Sequence, residues 1–100
     1  SKKHIMNKQE LRAYLKDKSK VVVYVSASWC GPCKRITPLV ESYRDKIEIL
    51  KLDYDEDQGA VSSLRVRVVP TFMLFRYGNH EQVCFSGNEE EIERFFASTL

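Results

Sequence analysis

Five consecutive residues, Val21-Val22-Val23-Tyr24-Val25, constrain this chain more than any other stretch. β-Branched side chains are stiff and pack well on a pleated surface. A run without polar alternation suits a strand covered on both faces. Such a strand sits in the middle of a sheet, with helices above and below it. At its end comes Trp29-Cys30-Gly31-Pro32-Cys33-Lys34. Two cysteines separated by two residues can close a small disulfide or open to a dithiol. After a strand and at the mouth of a helical pattern, that spacing reads as a redox site. The strand is expected to deliver Cys30 to an exposed turn. The helix that follows offers unpaired N–H groups and a positive dipole end, which favour thiolate over thiol. Pro32 suits a helix's first turn, where its missing N–H costs nothing. Gly31 keeps bulk away from the attacking sulfur.

Two other readings compete for the same cysteines. Zinc takes four ligands, usually as two pairs. Beyond this pair the chain holds only Cys84, His4 and His80, none at paired spacing, so the expected metal content is none. A structural disulfide would serve as a staple, but a short, exposed Gly-Pro loop suits a labile bond better.

Composition narrows the rest. One hundred residues with 43% apolar content make one globular domain, spanning 1–100, with a core that needs no disulfide support. Sixteen basic against fourteen acidic side chains leave a net charge of +2, which argues against a general affinity for nucleic acid. No apolar run approaches membrane-spanning length, and no signal-peptide layout is legible at the front. Three cysteines cannot all pair internally, which fits a reducing compartment and a cytoplasmic location. A monomer is the expected state.

The remaining elements follow in order. Residues 2–20 are basic. Within them Asn7 and Glu10 have capping-box spacing, and Leu11, Tyr14 and Leu15 fall at helical spacing. The lysines there read as the solvated face of a first helix rather than a patch for nucleic acid or an acidic partner, because no aromatic or Gly-rich pattern interleaves them. A short strand around Lys3–Ile5 is a further expectation. After the cysteines, Ile36, Leu39, Val40 and Tyr43 predict a helix running to about Lys46, with Pro38 inside it. Ile47, Ile49, Leu50 and Leu52 predict a strand, and strand–helix–strand makes a right-handed parallel unit. The run Asp53-Tyr54-Asp55-Glu56-Asp57 lacks the ligand spacing of a calcium loop and reads as a solvated loop leading into a helix. Ala60, Val61 and Leu64 suggest a short helix. Thr71–Phe75 and Glu81–Phe85 read as strands of a hairpin turning around Tyr77-Gly78-Asn79. Asn88 and Glu91 repeat the capping spacing before a last helix faced by Ile92, Phe95 and Phe96. The sum is a three-layer α/β domain with helices on both faces of a mixed sheet.

Trp-Cys-Gly-Pro-Cys-Lys at 29–34, Pro38, Lys51-Leu52-Asp53, Val69-Pro70-Thr71, Gly78 and Phe85-Ser86-Gly87 stand in an order and at separations that resemble the thioredoxin family, over about residues 5 to 97. Thioredoxin is itself a standing example of a Cys-X-X-Cys thiol acidified by its surroundings. The resemblance implies the thioredoxin fold: a mixed central sheet of four or five strands flanked by four helices. It implies a cis Val69–Pro70 bond beside the sulfurs, which the residues alone would leave trans. It also implies a docking surface of Trp29, Gly31, Pro32, Val69, Pro70 and Gly87, where residue 69 pairs its backbone with an extended substrate. Trp29 taken alone could instead be a core residue, but its place beside an exposed nucleophile favours the docking role. The activity implied is protein-disulfide reduction by dithiol–disulfide exchange, with Cys30 as nucleophile and Cys33 as the more buried resolving thiol. The oxidised protein then needs an external reductant, by resemblance a thioredoxin reductase drawing on NADPH. No cofactor site is visible in the chain itself. The Gly-Pro dipeptide argues for a reductant over oxidising relatives and glutathione-linked ones. A thioredoxin-fold docking module, or a domain of a larger protein with little reductase activity, is the alternative class.

One position departs from the family. Six residues before the first cysteine, where thioredoxins carry a buried aspartate, this chain has Tyr24. A phenol is a poor proton acceptor near neutral pH. Lys51 matches the lysine that neighbours the aspartate and is expected to lose its partner. Tyr24 as a plain core residue with a bonded hydroxyl is the competing account. Lys34, Arg35 and Arg67 put positive charge near the cleft, and Cys84 is expected to pack inward as a small apolar residue.

Overall fold

A computed structural model describes residues 4–100. Its elements are α1 (Lys8–Lys16), β1 (Val21–Ser26), α2 (Gly31–Glu41), β2 (Glu48–Asp53), α3 (Gln58–Ser63), β3 (Thr71–Arg76), β4 (Asn79–Cys84) and α4 (Glu89–Thr99). The sheet order is β2-β1-β3-β4. β1 pairs parallel with β2 and antiparallel with β3, and β3 pairs antiparallel with β4.

The valine run is the central strand, buried at every position. Its period of two divides the core. Val21, Val23 and Val25 face one layer, with Leu11 and Leu15 of α1, Ala60 and Val61 of α3, Met73 and Phe75. Val22 and Tyr24 face the other, with Ile36 and Val40 of α2, Phe72, Leu74, and Ile92, Phe95 and Phe96 of α4. α1 and α3 therefore cover one face of the sheet, and α2 and α4 the other. This is the three-layer arrangement expected of a four-stranded thioredoxin fold.

The helix starts are set locally. Asn7 Oδ1 accepts from the Glu10 amide at 2.8 Å while the Asn7 amide donates back to Glu10 Oε1 at 3.0 Å, a complete capping box. Asn88 Oδ1 accepts from the Glu91 amide at 3.1 Å at the start of α4.

Three boundaries differ from expectation. α2 is regular only to Glu41, not to about Lys46. Beyond it the amides of Tyr43, Arg44 and Lys46 bond three residues back rather than four, and the chain tightens into successive turns. The hairpin turns on two residues rather than three. Tyr77 and Gly78 both have positive φ, 49° and 83°, so pairing resumes at Asn79, opposite Arg76, and Phe85 falls outside β4. No strand forms at His4 and Ile5, and the rest of that expectation, Lys3, lies outside the described residues. Nearby, the Met6 amide donates to Asp57 Oδ1 at 2.8 Å, a side-chain contact in place of a ladder.

Candidate active site

Everything at the C-terminal end of β1 converges on two sulfurs. Ala27 to Trp29 turn the chain out of the sheet, and Cys30 takes the N-cap position of α2 with an extended backbone. Cys30 and Cys33 are joined as a disulfide, with their Cα atoms 5.3 Å apart. The Cys33 amide, one of the donors that a helix start leaves unpaired, donates to Cys30 Sγ at 3.1 Å. In the dithiol state the same amide and the same helix end favour the anionic form of that sulfur. Pro32 sits in the first turn, as expected.

Cys30 does not stand on an open turn. In the disulfide form it is 4% exposed and Cys33 is 2% exposed, packed with Ala27 and flanked by Tyr54 and Val69. A sulfur–sulfur bond turns both side chains toward each other, and the loop carrying Tyr54 closes the side.

The residues grouped by resemblance meet around this pair. Val69–Pro70 is cis. Pro70 is buried and Val69 half-buried beside the cysteines. Gly87 completes the notch: a Cβ there would lie 3.2 Å from Pro32 Cβ and 3.8 Å from Pro70 Cγ. The Arg35 guanidinium reaches the Gly87 carbonyl at 3.4 Å. Gly31 is exposed with open space around its Cα, so nothing crowds the rim there. Trp29 is 63% exposed and so is not a core residue. Its indole N–H donates to Asp55 Oδ2 at 2.6 Å, and its ring meets Tyr54 edge-on at 6.4 Å.

Tyr24 fills the interior beneath α2. It is fully buried and stacked on Phe72 at 4.8 Å. Its hydroxyl donates to the Cys33 carbonyl at 3.3 Å and lies 3.2 Å from Thr37 Oγ1, which itself donates to the Cys33 carbonyl at 2.7 Å. Burial pushes the phenol above its ordinary range, only partly offset by the bond to Thr37. Lys51 has no carboxylate at position 24 to pair with, as expected. Its ammonium lies 5.7 Å from the centre of the Tyr24 ring, a cation–π contact in place of an ion pair. A cavity of about 420 Å³ opens behind Cys33, lined by Ser26, Thr37, Lys51 and Asp53 among others.

Lys34 and Arg67 are exposed, and Cys84 is half-buried against the α2–α4 core layer. Among the described residues no group of three or more His, Cys, Asp or Glu side chains could hold a metal ion.

Sequence reasoning missed Asp55, Tyr54 and Asp57. The acidic run 53–57 read as solvated. Asp55 instead bonds Trp29, and Asp57 is 3% exposed, accepting from the amides of Met6 and Asp53 at 2.8 Å each. Thr37, one turn beyond Cys33 on α2, was also missed. Its i, i+4 spacing was the available signal.

Comparison with known proteins agrees with this geometry. The thioredoxin family model matches residues 2–98. A thioredoxin from Pseudomonas aeruginosa is 42% identical over 71 residues, covering 67% of this chain and 66% of that protein. One from Gallus gallus is 35% identical over 83 residues, covering 80% and 79%. The structure of Plasmodium falciparum thioredoxin superposes with a TM-score of 0.88 over 96% of this chain and 97% of that one, at 24% identity, which speaks to the fold. The chain therefore belongs to the thioredoxin family and is a thiol–disulfide oxidoreductase of the protein-disulfide reductase kind.

Proposed function

We propose that this chain, acting as a single domain, reduces disulfides of partner proteins through Cys30, with Cys33 resolving the intermediate. The observation that carries this assignment is the Cys30 sulfur at the N-cap of α2, within 3.1 Å of the Cys33 amide and joined to Cys33. The Cys30 thiolate attacks one substrate sulfur, the S–S bond breaks, and the other substrate sulfur leaves as thiolate and takes a proton. Cys33 then gives up its proton and attacks Cys30 Sγ. The mixed disulfide breaks, the second substrate thiol is released, and two electrons have passed to the substrate.

The substrate docks on Trp29, Gly31, Pro32, Val69, Pro70 and Gly87. It presents an extended backbone to residue 69, in a form of strand addition. Tyr24 and Lys51 support the resolving side. Buried and with its proton held, Tyr24 supplies no carboxylate to accept the Cys33 proton, so that proton passes to water in the cavity behind it.

Regeneration falls to a thioredoxin reductase that draws on NADPH. Neither cofactor nor metal resides on this chain. The protein works as a monomer, without nucleic acid or membrane, in cytoplasmic redox homeostasis. No described helix is long and apolar enough to cross a membrane. The test is NADPH oxidation with a thioredoxin reductase, this protein and insulin. Turnover that requires all three supports the assignment, and none above background refutes it.

A further inference from the structure

A groove at the opposite end of β1 from Cys30 takes no part in this chemistry. It lies between α1, the end of α3 and the β3–β4 turn, and holds about 400 Å³. Its floor is apolar, with Leu11, Leu15 and Phe75. Along its rim run Lys8, Arg12 and Lys16, each exposed and each one helical turn from the next, so three cations span about 12 Å of one helix face. The lining contains no carboxylate, and none of the three pairs with one among the described residues.

The far wall adds an independent sign. Tyr77 is 65% exposed and adopts φ 49°, a conformation that favours Gly, Asn or Asp over a bulky aromatic. Its amide is tied to the Lys18 carbonyl at 2.7 Å, which fixes the hairpin tip against the end of α1. Strain of this kind persists where surrounding structure enforces it, and such sites are often functional. From the sequence the lysines read as a solvated face for want of interleaved aromatics. Folding brings the aromatic to them from a hairpin far along the chain.

We propose that this groove docks an acidic amphipathic segment of a partner protein. Carboxylates spaced one helical turn apart meet Lys8, Arg12 and Lys16, while one apolar side chain seats between Leu11 and Tyr77. An apolar floor under so few cations matches such a peptide better than a phosphate backbone. The site is remote from Cys30, so a target or reductase can be held here while its disulfide is worked on at the other end.

The test titrates a synthetic peptide, with glutamate at every fourth residue and leucine between, into the isotope-labelled full chain, read by amide chemical shifts. Expected are shifts confined to α1, residues 63–64 and residues 75–79, binding weakened about tenfold or more in a Lys8→Glu/Arg12→Glu/Lys16→Glu variant, and further weakening as salt rises. Tyr77→Gly, which relieves the backbone strain, is expected to weaken binding while preserving the fold. Insulin reduction driven by dithiothreitol, which needs no docked reductase, stays unchanged in both variants. The matching lysine peptide is expected not to bind. Absence of binding, shifts centred on Cys30, or equal affinity for the triple variant overturns the proposal. So does a single-stranded oligonucleotide or an anionic phospholipid vesicle that engages these residues when the peptide does not.

Discussion

The hydroxyl of Tyr24 lies 3.3 Å from the carbonyl oxygen of Cys33, so the residue beneath the resolving cysteine is a buried phenol rather than a carboxylate. Tyr24→Phe removes one bond to a carbonyl that Thr37 still serves, and is expected to cost about 0.5–1.5 kcal/mol of stability and change the reduction rate little. Tyr24→Asp places a carboxyl where burial raises its proton affinity, at a stability cost of about 3 kcal/mol or more. A new pH dependence of insulin reduction between about pH 6 and 9 is expected in that variant. An unchanged profile would show that the identity of residue 24 does not matter to resolution.

Trp29, next to Cys30 in the chain, is held by Asp55 and Tyr54 yet is mostly solvent-exposed. Trp29→Ala is expected to lower the catalytic efficiency for a protein disulfide by about 1–2 kcal/mol, roughly 5- to 30-fold, through KM. Little core is lost, so Tm moves by only about 2 °C or less. A large fall in Tm with unchanged KM would make Trp29 a structural residue.

Gly87 sits where a methyl group would press on Pro32. Gly87→Ala is expected to cost about 1 kcal/mol, roughly fivefold, in reduction of a protein disulfide, by filling the notch against which the substrate backbone is proposed to pack. A small aromatic disulfide, which does not occupy the notch, is reduced at nearly the parent rate. Equal losses with both substrates would place the effect on the sulfurs instead.

Two buried or half-buried phenols set the alkaline limit. Burial raises Tyr14, aided by its bond to the Glu48 carboxylate, and burial raises Tyr24. The neutral form is favoured in the folded state, so their stabilising contribution is complete below about pH 10 and is lost as pH rises beyond it. Urea unfolding of the oxidised protein is expected to show stability falling above that pH. A Tyr14→Phe/Tyr24→Phe double variant should fall less steeply; an identical slope would assign the loss to other groups.

Much of the architecture was legible because its causes are local. The valine run, the capping pairs Asn7–Glu10 and Asn88–Glu91, and the helical spacing of Ile36 and Val40 each act within a few residues, and each lies where expected. The end of α2 was misjudged because apolar periodicity continues to Tyr43 after the hydrogen bonding has changed. At the site, the Cys-Gly-Pro-Cys turn could be read directly, whereas the cis Val69–Pro70 bond could be anticipated only by resemblance. Trp29–Asp55 and Met6–Asp57 join residues 26 and 51 positions apart, and no periodicity connects them. Lys51, expected to lack its carboxylate partner, lies over the face of an aromatic ring, a contact that charge counting does not foresee.

The central claim concerns which sulfur begins the reaction. Single variants Cys30→Ser and Cys33→Ser, each assayed for insulin reduction and for covalent capture of the substrate, test it directly. With Cys30→Ser, reduction is expected to be lost and no adduct to form; with Cys33→Ser, turnover is expected to stop while a mixed disulfide through Cys30 accumulates. Full disulfide reduction by Cys30→Ser would contradict the account.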